Sequence, residues 1–271
     1  MSRPFPAREN GTSSVARVLR VFDLLTVDEP ALSADQIVER LGTSRTTGYR
    51  YIRELCSAGL LSRVGGAYAL GPRIIELDYV IRQFDPILAA SAPIVRELRE
   101  TAGCDVLLAS IFGDRIVATH HEQGGDRTEI SFGRGRPMPL FRGAGSKAIL
   151  SCLRPARQRE LFERNRHAAA AAGFASWDAF KAEMLAVRRQ GLAVSTGELD
   201  AENVAVAAPI VPDSRSAPGC VIAVFAKSRY AIADKKLVER IVKSAAARIA
   251  LGLAQQRDPA LQTLALLPDA V

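Results

Sequence analysis

The feature that most constrains this fold is a dense run of helix and turn signals between residues 33 and 70. Ser33-Ala34-Asp35-Gln36 matches a capping box, in which Ser33 and Gln36 satisfy each other's backbone amides at the start of a helix. Gly42 ends that helix, because glycine readily takes the left-handed conformation of a helix C-cap. After a turn of about three residues, a second helix runs to about residue 58 and stops at Gly59. This spacing predicts a helix-turn-helix.

Elements on either side extend this unit. Before it, apolar residues recur at i, i+3, i+4 and i+7 between Ser14 and Leu25, a spacing typical of one amphipathic helix. After it, residues 60–64 and 67–70 are two strand-like runs joined by Gly65-Gly66, a dipeptide suited to the positive φ of a tight hairpin turn. Three helices followed by a hairpin predict a winged helix-turn-helix.

The second helix of the pair, which Thr43 or Ser44 can cap, has an apolar and a basic face. The face predicted to be buried carries Gly48, Tyr51, Ile52 and Leu55. The opposite face carries small and cationic residues, and there threonine can approach base edges closely while arginine can bind guanine or a phosphate. This basic face and an arginine beside the hairpin together predict DNA contacts from Arg45, Thr46, Thr47, Tyr49, Arg50, Arg53 and Arg63.

The distribution of charge agrees with this prediction. Residues 42–75 contain five arginines and one glutamate, a surplus of four positive charges in a chain whose net charge is +7. A basic helix alone is often only a solvated surface, and a constitutive architectural or RNA-binding protein is an alternative use of a basic winged helix. The capped helix pair, the short turn and the glycine hairpin together favour a duplex-DNA reader.

The rest of the chain predicts a connector and a second domain. Residues 73–84 show helical periodicity, and Asp85-Pro86 interrupts them, so we place the domain boundary at about residue 85. Beyond it, helices alternate with strand-like runs, which indicates an α+β domain with helices around an antiparallel sheet. Helices are predicted at 87–102, 144–153, 156–165, 176–190 and 234–256, and strands at 104–112, 115–121, 128–132, 192–195, 204–211 and 219–227.

Several other classes of protein are disfavoured. The four cysteines lie roughly fifty residues apart, without the close spacing of a zinc site, so we expect reduced thiols and neither a metal nor a cofactor. No run of about 18 apolar residues occurs, so a cytoplasmic protein is expected. An enzyme using His120 or His121 is a further alternative, but adjacent strand residues point to opposite faces, so both cannot serve one site.

Four passages of this sequence resemble the isocitrate lyase regulator (IclR) family of bacterial transcription factors, and the similarity runs from about Ser13 to about Leu253. They are SSVARVLRVFDLL, LSADQIVERLGTSRTTGYRYIRELCSAGLLSRVGGAYALG, PLFRGAGSKAILSCL and RRQGLAVSTGELDAENVAVAAPIV. The resemblance implies a homodimer or homotetramer that binds operator DNA, is not an enzyme, and responds to a small-molecule effector. The implied organisation is an arm (1–12), a winged helix-turn-helix (13–72), a linker helix (73–85), a GAF-like effector-binding domain (86–256) and a tail (257–271).

The resemblance also implies where the effector binds. Carried over by position, the pocket residues are Arg127, Ile130, Met138, Ala144, Gly145, Ser195, Asn203, Ala205, Phe225 and Lys227. Two cationic side chains in this set, Arg127 and Lys227, can pair with a carboxylate, and Phe225 can supply an apolar wall. We therefore expect a small organic acid, aromatic acids included, as the effector. A surface position for Lys227 is the alternative, because strand alternation is easily misread by one residue.

This chain departs from the family at two places in the second helix of the pair. Gly48 and Tyr51 stand where the reader helix of the family usually has a larger aliphatic residue or alanine and a leucine. We interpret the pair as an exchange of volume inside the core, with the basic face unchanged.

Overall fold

The computed structural model describes residues 13–125, 129–211 and 219–256 of the 271-residue chain. The predicted arm (1–12) and tail (257–271) lie outside these residues. The chain divides into two compact units between Asp85 and Pro86, and each unit is described by itself below. None of the helices in the described ranges combines the length and the hydropathy needed to cross a bilayer.

The N-terminal unit is a winged helix built on a three-stranded antiparallel sheet with strand order β1-β3-β2. Its elements are α1 (Ser14–Leu19), α2 (Val21–Leu24), β1 (Ala31–Ser33), α3 (Ala34–Leu41), α4 (Arg45–Ser57), β2 (Leu61–Val64), β3 (Ala67–Leu70) and α5 (Arg73–Phe84). The hairpin turn between β2 and β3 is Gly65-Gly66, with φ of 56° and 92°. No side chain of α5 is buried within this structure.

Two details of this unit differ from the sequence expectation. The single helix predicted between Ser14 and Leu25 is divided at Arg20, which is the C-cap of α1 and the N-cap of α2. The strand β1 was not predicted; it pairs with β3, where Leu32 lies opposite Tyr68. Because β1 has three residues and ends at the N-cap of α3, it is too short to show the alternation by which strands are recognised.

The core of the winged helix brings together residues from every helix of the helix-turn-helix and from the sheet. Gly48 of α4 is buried where this helix crosses α3: a Cβ atom there would lie 2.4 Å from Cγ2 of Val38. The space left by the missing side chain of Gly48 is therefore occupied by Val38. The buried ring of Tyr51 is accommodated one turn further along α4. The core is completed by Val21, Leu32, Ile37, Leu41, Ile52, Leu55 and Leu61.

The C-terminal unit is an antiparallel six-stranded sheet, with strand order β6-β5-β4-β9-β8-β7, covered by helices. Its elements are α6 (Pro86–Ala102), β4 (Asp105–Phe112), β5 (Arg115–Glu122), β6 (Pro137–Met138), α7 (Ala144–Cys152), α8 (Pro155–Arg164), α9 (Arg166–Ala171), α10 (Trp177–Gln190), β7 (Ala193–Thr196), β8 (Asn203–Ile210), β9 (Gly219–Ala226), α11 (Lys227–Ile232) and α12 (Lys235–Gln256).

Alternate residues of the central strands divide between two separate cores. On one side of β9, Ile222 and Val224 pack with the apolar residues of α7, α8 and α10. On the other side, Val221, Ala223 and Phe225 pack with α6 and α12. The sheet is therefore buried on both faces, and the face toward α7 is the one that contains the cavity described below.

The strand predicted at 128–132 is not formed by its described part, residues 129–132. Ile130 and Phe132 alternate as in a strand because both pack against the core from a loop. The loop backbone is held by single side chains instead of a strand neighbour: Asn203 donates to the carbonyl of Glu129, and the amide of Ser131 donates to Asp200. Three short elements are formed that were not predicted from the sequence: β6, α9 and α11.

Candidate functional site

The N-terminus of α4, where the predicted DNA-contacting residues begin, is fixed by a serine cap. Ser44 has an extended backbone conformation, and its hydroxyl oxygen accepts a 3.3 Å hydrogen bond from the amide of Thr47. Of the two residues that the sequence left open as the cap, Ser44 is the one observed. The preceding helix ends at Gly42, whose φ of 63° permits the sharp turn between α3 and α4.

The two faces of α4 are as predicted. Gly48, Tyr51, Ile52 and Leu55 are buried. On the other face the side chains are exposed except for Thr47, which is half-buried at the cap; the exposed residues are Arg45, Thr46, Tyr49, Arg50 and Arg53. Arg63 is exposed on β2 beside the glycine turn. The structure therefore brings six of the seven predicted residues onto one helix and the seventh onto the hairpin.

One end of this basic face is held by an acidic residue of α3. Asp35 lies 3.1 Å from the Arg45 guanidinium and accepts a hydrogen bond from the Tyr49 hydroxyl at 3.3 Å. Hydrogen bonding by Tyr49, followed by the charge of Asp35, raises the pKa of Arg45 above its usual value. Arg50 lies 5.7 Å from the centre of the Tyr51 ring, so its cation is held beside the helix surface. Arg45 and Arg50 therefore each contact another residue of the helix pair.

The C-terminal unit contains a cavity between the sheet face toward α7 and two loops. The empty space including its open mouth is about 430 Å³, and the centre of a water molecule can move through about 40 Å³ of it. Seven of the ten residues predicted for the effector site line this cavity: Ile130, Met138, Ala144, Gly145, Ser195, Asn203 and Ala205. Five elements and loops far apart in sequence thus converge on one place.

Two predicted pocket residues lie elsewhere. Phe225 is buried on the opposite face of β9, against Tyr230, with ring centres 5.6 Å apart. Lys227 begins α11 and does not line the cavity, although a Cβ atom built on Gly197 would lie 3.4 Å from its ammonium nitrogen. Successive side chains of a strand point to opposite faces of the sheet. Because Ile222 and Val224 lie in the cavity wall, Phe225 lies on the other face of β9. Arg127 lies outside the described residues.

Seven residues of the cavity wall were not predicted from the sequence. They are Leu107, Phe132, Glu198, Leu199, Asp200, Ile222 and Val224. The alternation of β4 and β9 identifies the three strand residues once the register is known, because Asp105 lies opposite Val224 and Leu107 opposite Ile222. Glu198 and Asp200 were not predicted, because sequence alone carries no signal for their contacts with Gly143, Lys147 and Ser131.

The amides at the start of α7, a helix end that favours anions, are already bonded within the chain. The amide of Gly143 donates to Oε2 of Glu198 at 2.8 Å, and the amide of Ala144 donates to Oγ of Ser195 at 3.0 Å. Lys147, one turn into α7, donates to Oε1 of Glu198 at 2.6 Å. A guanidinium from Arg142 also donates to the main-chain carbonyl of Glu198.

The two histidines considered for catalysis face opposite sides of β5. His120 lies 3.3 Å from Glu122, on the side of the sheet where Leu108 packs. His121 lies 2.9 Å from the buried carboxylate of Asp105, which also accepts a hydrogen bond from the amide of Gly124. Each histidine therefore has its own acidic neighbour, and the two do not share a site.

The four cysteines are free thiols. Burial raises the pKa of Cys104 to about 12 and raises the pKa of Cys220 further. Both side chains are therefore protonated near neutral pH and are poor nucleophiles and metal ligands. Among the described residues, no group of three or more His, Cys, Asp and Glu side chains is placed to hold a metal ion.

Two sequence profiles match the chain. The profile of the IclR helix-turn-helix domain matches residues 14–65, and that of the bacterial transcriptional regulator IclR C-terminal domain matches residues 80–251. A relative with the same arrangement is the HTH-type transcriptional regulator KipR of Bacillus subtilis, which is 26% identical over 245 residues, or 89% of this chain and 97% of KipR.

Solved structures are similar over nearly the whole chain. An IclR family transcriptional regulator from Brucella abortus superposes with a TM-score of 0.73 at 20% identity, covering 91% of this chain and 98% of that one. An IclR homolog from Microbacterium hydrocarbonoxydans, solved with 4-hydroxybenzoate, superposes with a TM-score of 0.71 at 19% identity, covering 89% and 99%. At these identities the likeness establishes the fold.

Proposed function

The chain belongs to the IclR family of bacterial transcriptional regulators, and from this premise we propose that a small organic acid bound in its C-terminal cavity changes its affinity for operator DNA. The observation that carries the proposal is the presence, in one chain, of an exposed basic reader helix and a separate cavity at the position implied by the family resemblance. The protein works in the cytoplasm, where bacterial DNA lies, and performs no catalysis.

The DNA-binding half rests on the exposed residues of α4. Its N-terminal residues Arg45 and Thr46 are at the end of a recognition helix that usually meets base edges, and Arg50 and Arg53 follow on the same face. Thr47 and Tyr49 lie among them, and Arg63 extends the basic surface to the hairpin. We propose base contacts near the helix start and phosphate contacts from the other arginines.

The sensing half rests on the composition of the cavity. Most of its wall is apolar, with four polar residues, Ser195, Glu198, Asp200 and Asn203, and such a mixture is common in sites for small ligands. A relative of this fold has been solved with 4-hydroxybenzoate, an aromatic acid. We propose that the acid binds among Ile130, Met138, Ala144, Gly145, Ser195, Asn203 and Ala205, with Arg127 as a further candidate for charge pairing.

We propose a homodimer or homotetramer as the active state. One reader helix covers only half of a two-fold operator, so two copies are the minimum for a symmetric site. The helix α5 supports this assembly, since Ile75, Tyr79 and Phe84 are 75%, 63% and 81% exposed on it. Apolar side chains so exposed are typical of an interface.

The proposal is tested by measuring operator binding with and without ligand. Fluorescence anisotropy on a labelled duplex from the region upstream of the protein's own gene should give an affinity that changes by tenfold or more when an organic acid is added. Single-stranded RNA should compete poorly with the duplex. An affinity that no acid alters, or equal competition by RNA, would favour the constitutive nucleic-acid-binding alternative.

A further inference from the structure

The carboxylate of Glu198 occupies the place where the start of α7 favours an anion. Its two oxygens accept hydrogen bonds from the Gly143 amide (2.8 Å) and from the Lys147 ammonium (2.6 Å). The ion pair is largely enclosed, with 14% of the Lys147 side chain and 28% of the Glu198 side chain exposed. Glu198 also lines the cavity. A carboxylate of the chain itself therefore stands at the polar end of the ligand site.

Residues 197–200, here called the strap, place this carboxylate beside the N-terminus of α7. Leu199 packs on Gly143 so closely that a Cβ atom on Gly143 would lie 2.8 Å from its Cδ1. Asp200 joins the strap to the other loop of the cavity, because its carboxylate accepts a hydrogen bond from the amide of Ser131 at 3.2 Å. The strap thus connects α7 with the loop at 129–132 along one part of the cavity wall.

The cavity is too narrow in this arrangement for a ring-sized ligand. A cavity that binds benzene has a volume of about 150 Å³, whereas the corresponding space here is about 40 Å³. Something in the wall must move when such a ligand enters. Glu198 and Leu199 are held by a few polar and apolar contacts at the edge of the wall, whereas Leu107, Ile222 and Val224 are fixed in paired strands of the sheet.

Charge decides which ligand can move the strap. If Glu198 leaves, Lys147 loses the carboxylate that offsets its charge in a largely enclosed position, which is strongly unfavourable. A ligand that brings its own carboxylate restores both hydrogen bonds, while the displaced Glu198 side chain gains hydration. A neutral ligand restores neither the charge nor the full hydrogen bonding, so it cannot compensate the loss.

We propose that Glu198 determines the specificity of the cavity: it fills an anion position formed by Lys147 and the Gly143 amide, and an effector acid binds there by displacing it. This inference rests on the proposed sensing function and adds the place and the mode of acid recognition. It differs from the expectation based on Arg127 and Lys227, because the cation involved is Lys147 and it is already paired. Movement of the strap then accompanies acid binding.

The test compares acids with their neutral isosteres. Binding of benzoate and benzamide, and of acetate and acetamide, is measured by isothermal titration calorimetry on the full-length chain. In Glu198→Gln the side chain keeps its size but no longer competes as an anion, so affinity for an acid should rise about tenfold or more. Affinity for the matching amide should change less than threefold.

A matched control separates displacement from a general effect of charge. Asp200→Asn removes one negative charge from the same wall without touching the contacts to α7. It should raise acid affinity less than threefold. Adding Lys147→Met to Glu198→Gln should abolish the gain for acids. Thermal unfolding of each variant, followed by circular dichroism, verifies that it is folded.

The outcomes distinguish this inference from the proposed function. Equal gains in Glu198→Gln and Asp200→Asn, or a loss of acid affinity in Glu198→Gln, overturn the displacement of Glu198 while leaving an acid sensor in place. Binding of acids to Glu198→Gln but not to the wild type supports the displacement of Glu198 in its strongest form. Failure of every acid to bind either the wild type or Glu198→Gln removes both the inference and the acid effector.

Discussion

Gly48 and Val38 mark the closest approach of the two helices that present the DNA-reading surface: a Cβ atom on Gly48 would lie 2.4 Å from Cγ2 of Val38. Alanine at this position would gain about 1 kcal/mol of helix propensity over glycine. The clash with a β-branched side chain outweighs this gain, because overpacking typically costs about 1–3 kcal/mol. Glycine is therefore required by the neighbouring helix.

Gly48→Ala is expected to lower the free energy of unfolding by about 1–2 kcal/mol and to weaken DNA binding through displacement of α4. Urea unfolding gives the stability. The double variant Gly48→Ala with Val38→Ala removes the clashing methyl and should recover at least half of the loss. If Gly48→Ala is more stable than the wild type, the close approach of α3 and α4 is wrong.

Arg50→Ala is expected to weaken duplex binding and to reduce the slope of log K against log salt by about one, the change produced by losing one phosphate contact. Fluorescence anisotropy at four salt concentrations measures both quantities. Arg189→Ala removes the same charge from an exposed position of α10 in the other unit and serves as the control. Identical behaviour of the two variants would remove Arg50 from the interface.

Gly145→Ala is expected to reduce effector affinity about tenfold or more. Its Cβ would lie 2.4 Å from Cδ1 of Ile222; both residues line the cavity, so the added methyl and the displaced side chain narrow it further. Phe225→Leu is the contrasting variant: it should lower stability by about 1–3 kcal/mol and leave affinity unchanged, since Phe225 packs on the other face of β9. Calorimetry and thermal unfolding separate the two effects. A loss of affinity in Phe225→Leu alone would contradict the assigned faces.

The buried thiols make the chain less stable in alkaline solution. Burial raises the pKa of Cys104 from 9.0 to about 12, so between these values the unfolded chain releases a proton that the folded chain retains. Stability is therefore complete below pH 9 and falls above it, by about 1 kcal/mol at pH 10 for this thiol. Cys104→Ala should flatten the decline of unfolding free energy between pH 8 and 10.5. Cys220, whose pKa is also raised by burial, should account for part of the remaining slope. A slope unchanged in Cys104→Ala would contradict this account.

Local signals in the sequence were enough to predict the winged helix. The capping box of Ser33 and Gln36, the left-handed turn at Gly42 and the two faces of α4 all occur as expected, because each depends on residues within one turn of one another. The strand β1 was missed because its pairing with β3 is a contact between residues more than 30 positions apart. Contacts of that kind leave no periodicity in a three-residue run.

The cavity was predicted less completely, and the errors have physical causes. Phe225 was carried over into the wall from the family resemblance, and the continuous apolar run of β9 shows no alternation that would assign its face. Glu198 was overlooked because its partners, Gly143 and Lys147, are about fifty positions away. The amides at the start of α7 are bonded by Glu198 and Ser195, and sequence does not show that the chain supplies these acceptors.

The exposed apolar residues of α5 have a consequence for how the stability of this protein must be measured. A twelve-residue helix is marginal in water without a packed face. If its cover comes from a second copy, then by mass action the ordering of α5 depends on how much protein is present. Dilution should therefore lower the melting temperature of the wild type and reduce its helix content, and replacing Phe84 with serine should bring a concentrated sample to the behaviour of a dilute one.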